Sequence, residues 1–264
     1  MTRGQLAVVT GASSGIGLEL ARQFAENGFD LIINAEDDGL YAAADQLGST
    51  GADVQVVEAD LATAEGVEFL VSAVEAAGRP VDALALNAGV GNGGVFLDIP
   101  WVDEERLIAV NVGSTVHLAK LLLPAMVARG SGRVLFTASI ASTMPGPYYA
   151  TYAASKSFVL SFAEAIRYEL KDSGVTVTAL MPGPTDTDFF ERGGMDDTPV
   201  NEGPKDDPAD VARDGFEALM AGKDQVVGGS RKNALQTVAG KFLTDPIKAA
   251  VHARMTKPES EETS

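Results

Sequence analysis

Short apolar runs alternate along this chain with longer amphipathic stretches, and that alternation narrows the fold more than any other feature. Strand candidates are Leu6–Val9, Leu31–Asn34, Val54–Glu58, Ala83–Leu86, Arg133–Thr137, Val175–Leu180 and Gln225–Val227. Helical patterns lie between them at Gly15–Asn27, Gly39–Leu47, Ala64–Ala76, Glu104–Arg129, Tyr149–Ser173 and Ala209–Ala221. Buried strands separated by helices read as βαβ units on a parallel sheet, so the fold class is α/β. No interior linker rich in Pro, Gly or Ser divides the chain, and residues 1–256 are expected to form a single nucleotide-binding domain. Pro182–Pro208, dense in Pro, Gly and Asp, reads as a long mobile loop, with 184–208 as the segment that covers a substrate. Lys232–Met255 reads as one or two helices broken near Pro246, and Lys257–Ser264 as a disordered polar tail.

Composition closes several doors. The chain has 264 residues and 45% hydrophobic content, ample for a sizeable core. Its net charge of −17 argues against nucleic acid and against anionic membrane surfaces as partners, because both call for basic patches. There is no Cys, hence no thiol nucleophile and no thiolate metal site. His117 and His252 are the only histidines, so no metal is expected. The apolar N-terminal segment is too short for a signal peptide, and no apolar run approaches the roughly 20 residues of a membrane span. The expectation is a cytoplasmic protein.

Three patterns carry chemistry. Thr10-Gly11-Ala12-Ser13-Ser14-Gly15-Ile16-Gly17 follows the first strand and opens the first helix. Glycines there permit a tight turn and close approach to a pyrophosphate, and the helix N-terminus offers free N–H groups to the anion. Tyr152 and Lys156 stand four apart on a helical pattern, which places them on one face. A cation beside a phenol favours the phenolate and brings its pKa toward a working range. Ser139, at the end of the fifth strand, offers a hydroxyl that can donate to a carbonyl oxygen. Ser142 competes for that role, and Ser at a strand end is also an ordinary turn residue.

Cofactor choice is written after the second strand. Glu36 lies 19 residues past Gly17, where such folds grip the ribose 2′-hydroxyl. Glu36, Asp37 and Asp38 would repel a 2′-phosphate, and no Arg or Lys is close in sequence to receive one, so NAD is expected over NADP. Asp37 and Asp38 could equally cap the next helix, and Asp60 the one after.

Thr10-Gly-x-x-x-Gly-x-Gly17, Asn87-Ala88-Gly89, Asn111, Ser139 and Tyr152-x-x-x-Lys156, in this order, resemble the short-chain dehydrogenase/reductase family over residues 5 to about 190. The resemblance implies a three-layer Rossmann fold, a doubly wound seven-stranded parallel sheet of order 3-2-1-4-5-6-7 with helices on both faces. It implies an oxidoreductase passing a hydride between a nicotinamide and a carbonyl or secondary alcohol. Tyr152 would be the acid/base, Lys156 its tuner and a ligand of the nicotinamide ribose, Ser139 the substrate donor, and Asn111 the support of a water relay at a helix kink. The cofactor would lie on Gly11, Ser13, Ser14, Gly15, Ile16, Gly17, Glu36, Asp60, Leu61, Asn87, Ala88, Gly89, Tyr152, Lys156, Pro182, Gly183 and either Thr185 or Thr187. Departures are Ala35, where NAD-preferring relatives carry Asp, and Leu86, where a second Asn is common. Phe189, Phe190 and Met195 on one side, and Met144, Pro145 and Tyr148 on the other, are candidates for the substrate walls. The family is often dimeric or tetrameric, which makes a homo-oligomer the expectation. Two other functions fit the same fold: a regulator that senses NAD(P) without turnover, and a dehydratase or epimerase. The complete catalytic set favours the enzyme over the regulator.

Overall fold

The computed structural model of the chain describes residues 4–230 and 244–258. The chain runs β1 (Gln5–Thr10), α1 (Gly15–Glu26), β2 (Phe29–Ala35), α2 (Gly39–Gly48), β3 (Val54–Glu58), α3 (Ala64–Ala76) and β4 (Ala83–Leu86). Then come α4 (Trp101–Ile108), a π-helical turn (Ala109–Ser114), α5 (Thr115–Arg129), β5 (Gly132–Thr137), a 3₁₀ turn (Ile140–Thr143), α6 (Ala150–Glu169) and β6 (Val175–Pro182). The remainder is α7 (Phe189–Arg192), α8 (Pro199–Glu202), α9 (Pro208–Met220), β7 (Gln225–Gly228) and α10 (Asp245–Thr256). All seven strands join one sheet of order β3-β2-β1-β4-β5-β6-β7, and every neighbouring pair is parallel. The class read from the sequence and the order implied by the resemblance both hold. The part of the Lys232–Met255 reading that falls on 231–243, and the tail beyond residue 258, lie outside the described residues.

The period-2 alternation of a strand sends neighbouring side chains to opposite faces. Leu6 and Val8 of β1, Val134 and Phe136 of β5, and Val175, Val177 and Ala179 of β6 point to one face, under α3, α5 and α6. Ala7 and Val9, Leu31 and Ile33, and Leu135 point to the other, under α1, α2 and α9. Both faces are therefore dry, which is why the strands read as continuous apolar runs. Phe24 of α1 meets Phe29 and Phe216 edge-on, both at 5.2 Å between ring centroids. Removing such a buried ring costs about 3–5 kcal/mol.

Two findings revise the sequence reading. The helix expected over Glu104–Arg129 starts at Trp101 and is interrupted by the π turn, with Asn111 and Gly113, poor helix formers, inside the interruption. Trp101–Arg129 as a whole is long and apolar enough to cross a membrane by length and composition, yet half of its most apolar window is buried inside the fold. The loop expected over Pro182–Pro208 holds two single-turn helices, α7 and α8. Its ends are tied together by Asp206 N–H to Pro184 O (2.8 Å) and Asp186 N–H to Asp206 O (2.9 Å).

Candidate active site

The carboxyl ends of the strands open into a single large cavity of about 1230 Å³. That exceeds the roughly 300–1,000 Å³ usual for one ligand, so it has room for a dinucleotide and a second molecule. Every residue expected to hold cofactor lines it, as do Ser139, Tyr152 and Lys156. Asn111 is buried and does not line it.

The glycine turn is built for close packing. Gly11 has φ +65°, and Gly17 has no room for a side chain: a Cβ there would stand 1.8 Å from Gly11 O and 2.5 Å from Asn87 Nδ2. Ser14, at the start of α1, is extended and makes no side-chain cap, which leaves the first-turn N–H groups open to the cavity. The turn is held from behind by Thr10 and Asn87. Thr10 Oγ1 accepts the Asn87 and Ala88 N–H groups, both at 3.0 Å, while Asn87 Nδ2 donates to Thr10 O at 3.2 Å and Thr137 Oγ1 donates to Asn87 Oδ1 at 3.0 Å. Asn87 thus ties β1, β4 and β5 together. The cradle fits a dinucleotide: glycines where a pyrophosphate would approach, an uncapped helix end facing it, and acids at the far rim.

That rim is where the sequence reading needs correction. Arg106, 70 residues from Glu36, reaches it across space. Its Nη2 donates to Glu36 Oε2, and its Nη1 donates to Asp60 Oδ2 at 3.0 Å. Burial works to raise the Asp60 pKa, but the bonds from Arg106 and from the Ala62 N–H prevail and hold it below the usual carboxylate range. Arg192, on α7, stands 3.9 Å from Asp37. So two guanidiniums are near the acids after all, both from distant segments. Asp37 also accepts the Ser13 hydroxyl (2.8 Å) and the Gly39 N–H (3.0 Å), so the capping role weighed for it is present.

At the reaction centre Ser139, Tyr152 and Lys156 converge. The Ser139 hydroxyl stands beside Tyr152, where it works to lower the phenol pKa, and accepts the Ala141 N–H at 3.1 Å. Ser142 Oγ instead accepts the Ser139 N–H at 3.2 Å and lies off the cavity wall, which separates the two serines. Lys156 Nζ donates to Thr137 O at 2.9 Å and lies 5.9 Å from the centre of the Tyr152 ring. A side chain on Gly89 would put a Cβ 3.0 Å from that ammonium.

Burial dominates the titration here. It pushes Tyr152 up to about 12, against the pull of the Ser139 hydroxyl. It pushes Lys156 down to about 8. The expected lowering of the phenol by the ammonium is not what these side chains show, because Nζ is committed to the Thr137 carbonyl and both groups have lost water. Asn111 exchanges two bonds with Val90 (Oδ1 from Val90 N, Nδ2 to Val90 O, both 2.9 Å) and donates to Ser155 Oγ at 3.0 Å. Its own carbonyl accepts Thr115 Oγ1 at 2.9 Å.

The profile of the short chain dehydrogenase family matches residues 5–197. The chain belongs to that family. It is 33% identical to oxidoreductase UcpA of Salmonella typhimurium over 261 residues, 97% of this chain and 96% of the relative. It is also 33% identical to 1-deoxy-11-beta-hydroxypentalenate dehydrogenase of Streptomyces exfoliatus over 264 residues, 97% and 92% of the two chains. A short-chain dehydrogenase from Sphingobium yanoikuyae, solved with NADPH, superposes with a TM-score of 0.77 at 28% identity, covering 90% of this chain and 94% of that one. This short-chain dehydrogenase/reductase is an oxidoreductase of the NAD(P)-using type.

The dehydrogenase's remaining walls were only partly visible in sequence. Phe189, Phe190 and Met144 line the cavity as expected, and the Phe189 ring lies 5.3 Å from Tyr152. Met195 is instead a fully buried anchor, nested where Cβ atoms on Gly91 and Gly93 would meet it at 2.7 and 2.6 Å. Pro145 and Tyr148 are off the wall, and Tyr149 takes their place, with its hydroxyl 3.2 Å from Thr198 Oγ1 on the loop. Tyr148 has φ 63°, a left-handed conformation rare for a bulky residue. Its carbonyl accepts the Gly94 N–H at 2.9 Å, which helps hold that turn. Thr187 carries its methyl over Gly15, while the Thr185 hydroxyl is turned to Gly183 O at 2.9 Å. The missed wall is α10. Lys248, Val251, His252, Met255 and Thr256 face the cavity at i, i+3, i+4, i+7 and i+8, a helical stripe legible in sequence but not assignable to a site there.

Proposed function

We propose that the protein reduces and oxidises an apolar carbonyl/alcohol pair, with Tyr152 as the group that gives and takes the proton. The observation that carries this reading is the convergence of Tyr152, Ser139 and Lys156 on one cavity that also contains the glycine cradle. The nicotinamide, when bound, supplies or accepts the hydride. Ser139 orients the substrate oxygen by donating to it, and Tyr152 delivers its proton to the same oxygen in reduction. In oxidation the phenol must ionise, and a group held near 12 ionises only beside added positive charge. Lys156 is the nearest such charge, and its move from the Thr137 carbonyl toward the phenol and a ribose hydroxyl would supply it. Asn111 holds Val90 and α6 in register. The second lone pair of its carbonyl, beyond the one taken by Thr115, is where a relay water would sit.

The substrate chamber supports an apolar molecule, since Met144, Tyr149, Phe189, Phe190, Val251 and Met255 form its wall. One relative is named for dehydrogenating 1-deoxy-11-beta-hydroxypentalenate, and the Sphingobium neighbour holds NADPH. NAD remains the preferred cofactor in this reading, because Glu36, Asp37 and Asp60 outnumber the two arginines at the rim. The chain acts as one domain, cytoplasmic and homo-oligomeric, with Leu121 of α5 and Phe158 and Tyr168 of α6 exposed on the central helices as contact surface. The test is dinucleotide oxidation followed at 340 nm against ketones of rising apolar size. Turnover is expected with NADH, with kcat/KM rising with size. No turnover across the panel, despite tight dinucleotide binding, would favour the sensing regulator instead.

A further inference from the structure

Three carboxylates gather at the rim of the cradle, Glu36 and Asp37 after β2 and Asp60 after β3. Two cations meet them. Arg192 is the looser, 3.9 Å from Asp37 and 3.6 Å from Asp188. Arg106 is held by three contacts: Nη2 to Glu36 Oε2, Nη1 to Asp60 Oδ2 at 3.0 Å, and Nη2 to Asp60 Oδ1 at 3.4 Å. Asp37 is occupied by Ser13 and Gly39. The groups at this rim left to meet a ribose are therefore Glu36, the guanidinium on it, and Arg192, which no short bond holds in place. Glu36 and Arg106 are both part-exposed, 47% for the Glu36 side chain and 39% for Arg106, so water can replace either partner at small cost.

We propose that Arg106 is a cofactor-specificity residue of this protein, an inference that rests on the dinucleotide reading above. With a 2′-hydroxyl on the adenosine ribose, Arg106 stays on Glu36 and Asp60 and holds the Glu36 carboxylate toward the sugar. It engages Oε2 and leaves Oε1 to accept from the hydroxyl. With a 2′-phosphate, the guanidinium exchanges a carboxylate for the phosphate, to which its planar fork is equally matched. The protein therefore binds NADP as a second, weaker cofactor, although its acids alone would reject it. A lysine at 106 supplies the charge without the fork and serves less well.

A staple tying α4 to the strand ends would weaken both cofactors alike when cut. A specificity residue changes their ratio. Isothermal titration of NADH and NADPH into the full chain separates the two. Arg106→Gln is expected to weaken NADPH by about tenfold or more while NADH changes by less than about threefold, with Arg106→Lys between. Glu36→Gln, which releases the guanidinium from one partner, is expected to tighten NADPH by about threefold or more. The proposal is overturned if Arg106→Gln shifts both nucleotides equally, or if wild type binds NADH but not millimolar NADPH. Should Arg106→Gln not fold, an unchanged NADPH affinity in Glu36→Gln overturns it alone. If wild type binds neither nucleotide, the dinucleotide reading itself fails.

Discussion

The two halves of the cavity are made in different ways. The cofactor half is backbone: a glycine turn with no room for side chains, strand ends bonded through Thr10 and Asn87, and a helix end left open. The substrate half is side chains brought in by segments remote from the sheet: the α7–α8 loop and α10. A cradle of backbone tolerates almost no substitution and serves any dinucleotide-binding relative. A wall of side chains on short helices can be repacked, so specificity can change without rebuilding the sheet.

Gly17→Ala is the harshest test of that contrast. Its Cβ would meet a backbone oxygen at 1.8 Å with nothing flexible to yield. Loss of measurable NADH binding in calorimetry is expected, with at least about 3 kcal/mol of stability. Retained binding would show the cradle to be softer than it looks.

Lys156→Met should separate activity from stability. Turnover is expected to fall by about 10²-fold or more in steady-state assays. Stability at pH 7 is expected to rise by about 2 kcal/mol: burial that drives the Lys156 pKa from 10.5 to about 8 penalises the charged form by about 3 kcal/mol, and the lost bond to the Thr137 carbonyl offsets about 1 kcal/mol of that. The sign follows from linkage. Between pH 8 and 10.5 the unfolded chain binds more protons at this residue than the folded one, so this group makes wild type gain stability as pH rises through that window. Tyr152 acts oppositely between pH 10 and about 12, where the folded state keeps a proton the unfolded chain has lost. Denaturant midpoints measured from pH 7 to 10 should therefore climb in wild type more than in Lys156→Met. Parallel curves would remove the buried lysine as the cause.

Met195→Ala should act on the other half alone. The anchor is fully buried between glycines, and its loss is expected to raise substrate KM about tenfold, with the NADH Kd within about twofold. Met255→Ala on α10 should be milder still, altering preference among ketone sizes by about threefold in kcat/KM. Equal damage to cofactor binding in either variant would mean the halves are coupled.

The same division explains what the sequence discloses. The strands, the glycine turn and the Tyr152/Lys156 pair are legible because each depends on local pattern: a continuous apolar run in β1, glycine where Cβ cannot fit, four-residue spacing on α6; the strand order comes only with the family resemblance. Arg106 and Arg192 at the acidic rim are not, because sequence proximity is a poor guide to charges delivered by α4 and α7. Met195 as anchor rather than wall depends on the cavity over Gly91 and Gly93, which no periodicity records. The raised phenol also escapes the pattern. Spacing shows that a cation is near Tyr152 but not that the Thr137 carbonyl holds it, nor how much water burial removes.

The acid/base role of Tyr152 is tested most directly by Tyr152→Phe, with turnover of an accepted ketone and NADH affinity measured on the same preparation. The account expects turnover to fall by about 10³-fold or more while the NADH Kd stays within about threefold. Turnover at the wild-type rate, with cofactor binding intact, would contradict it.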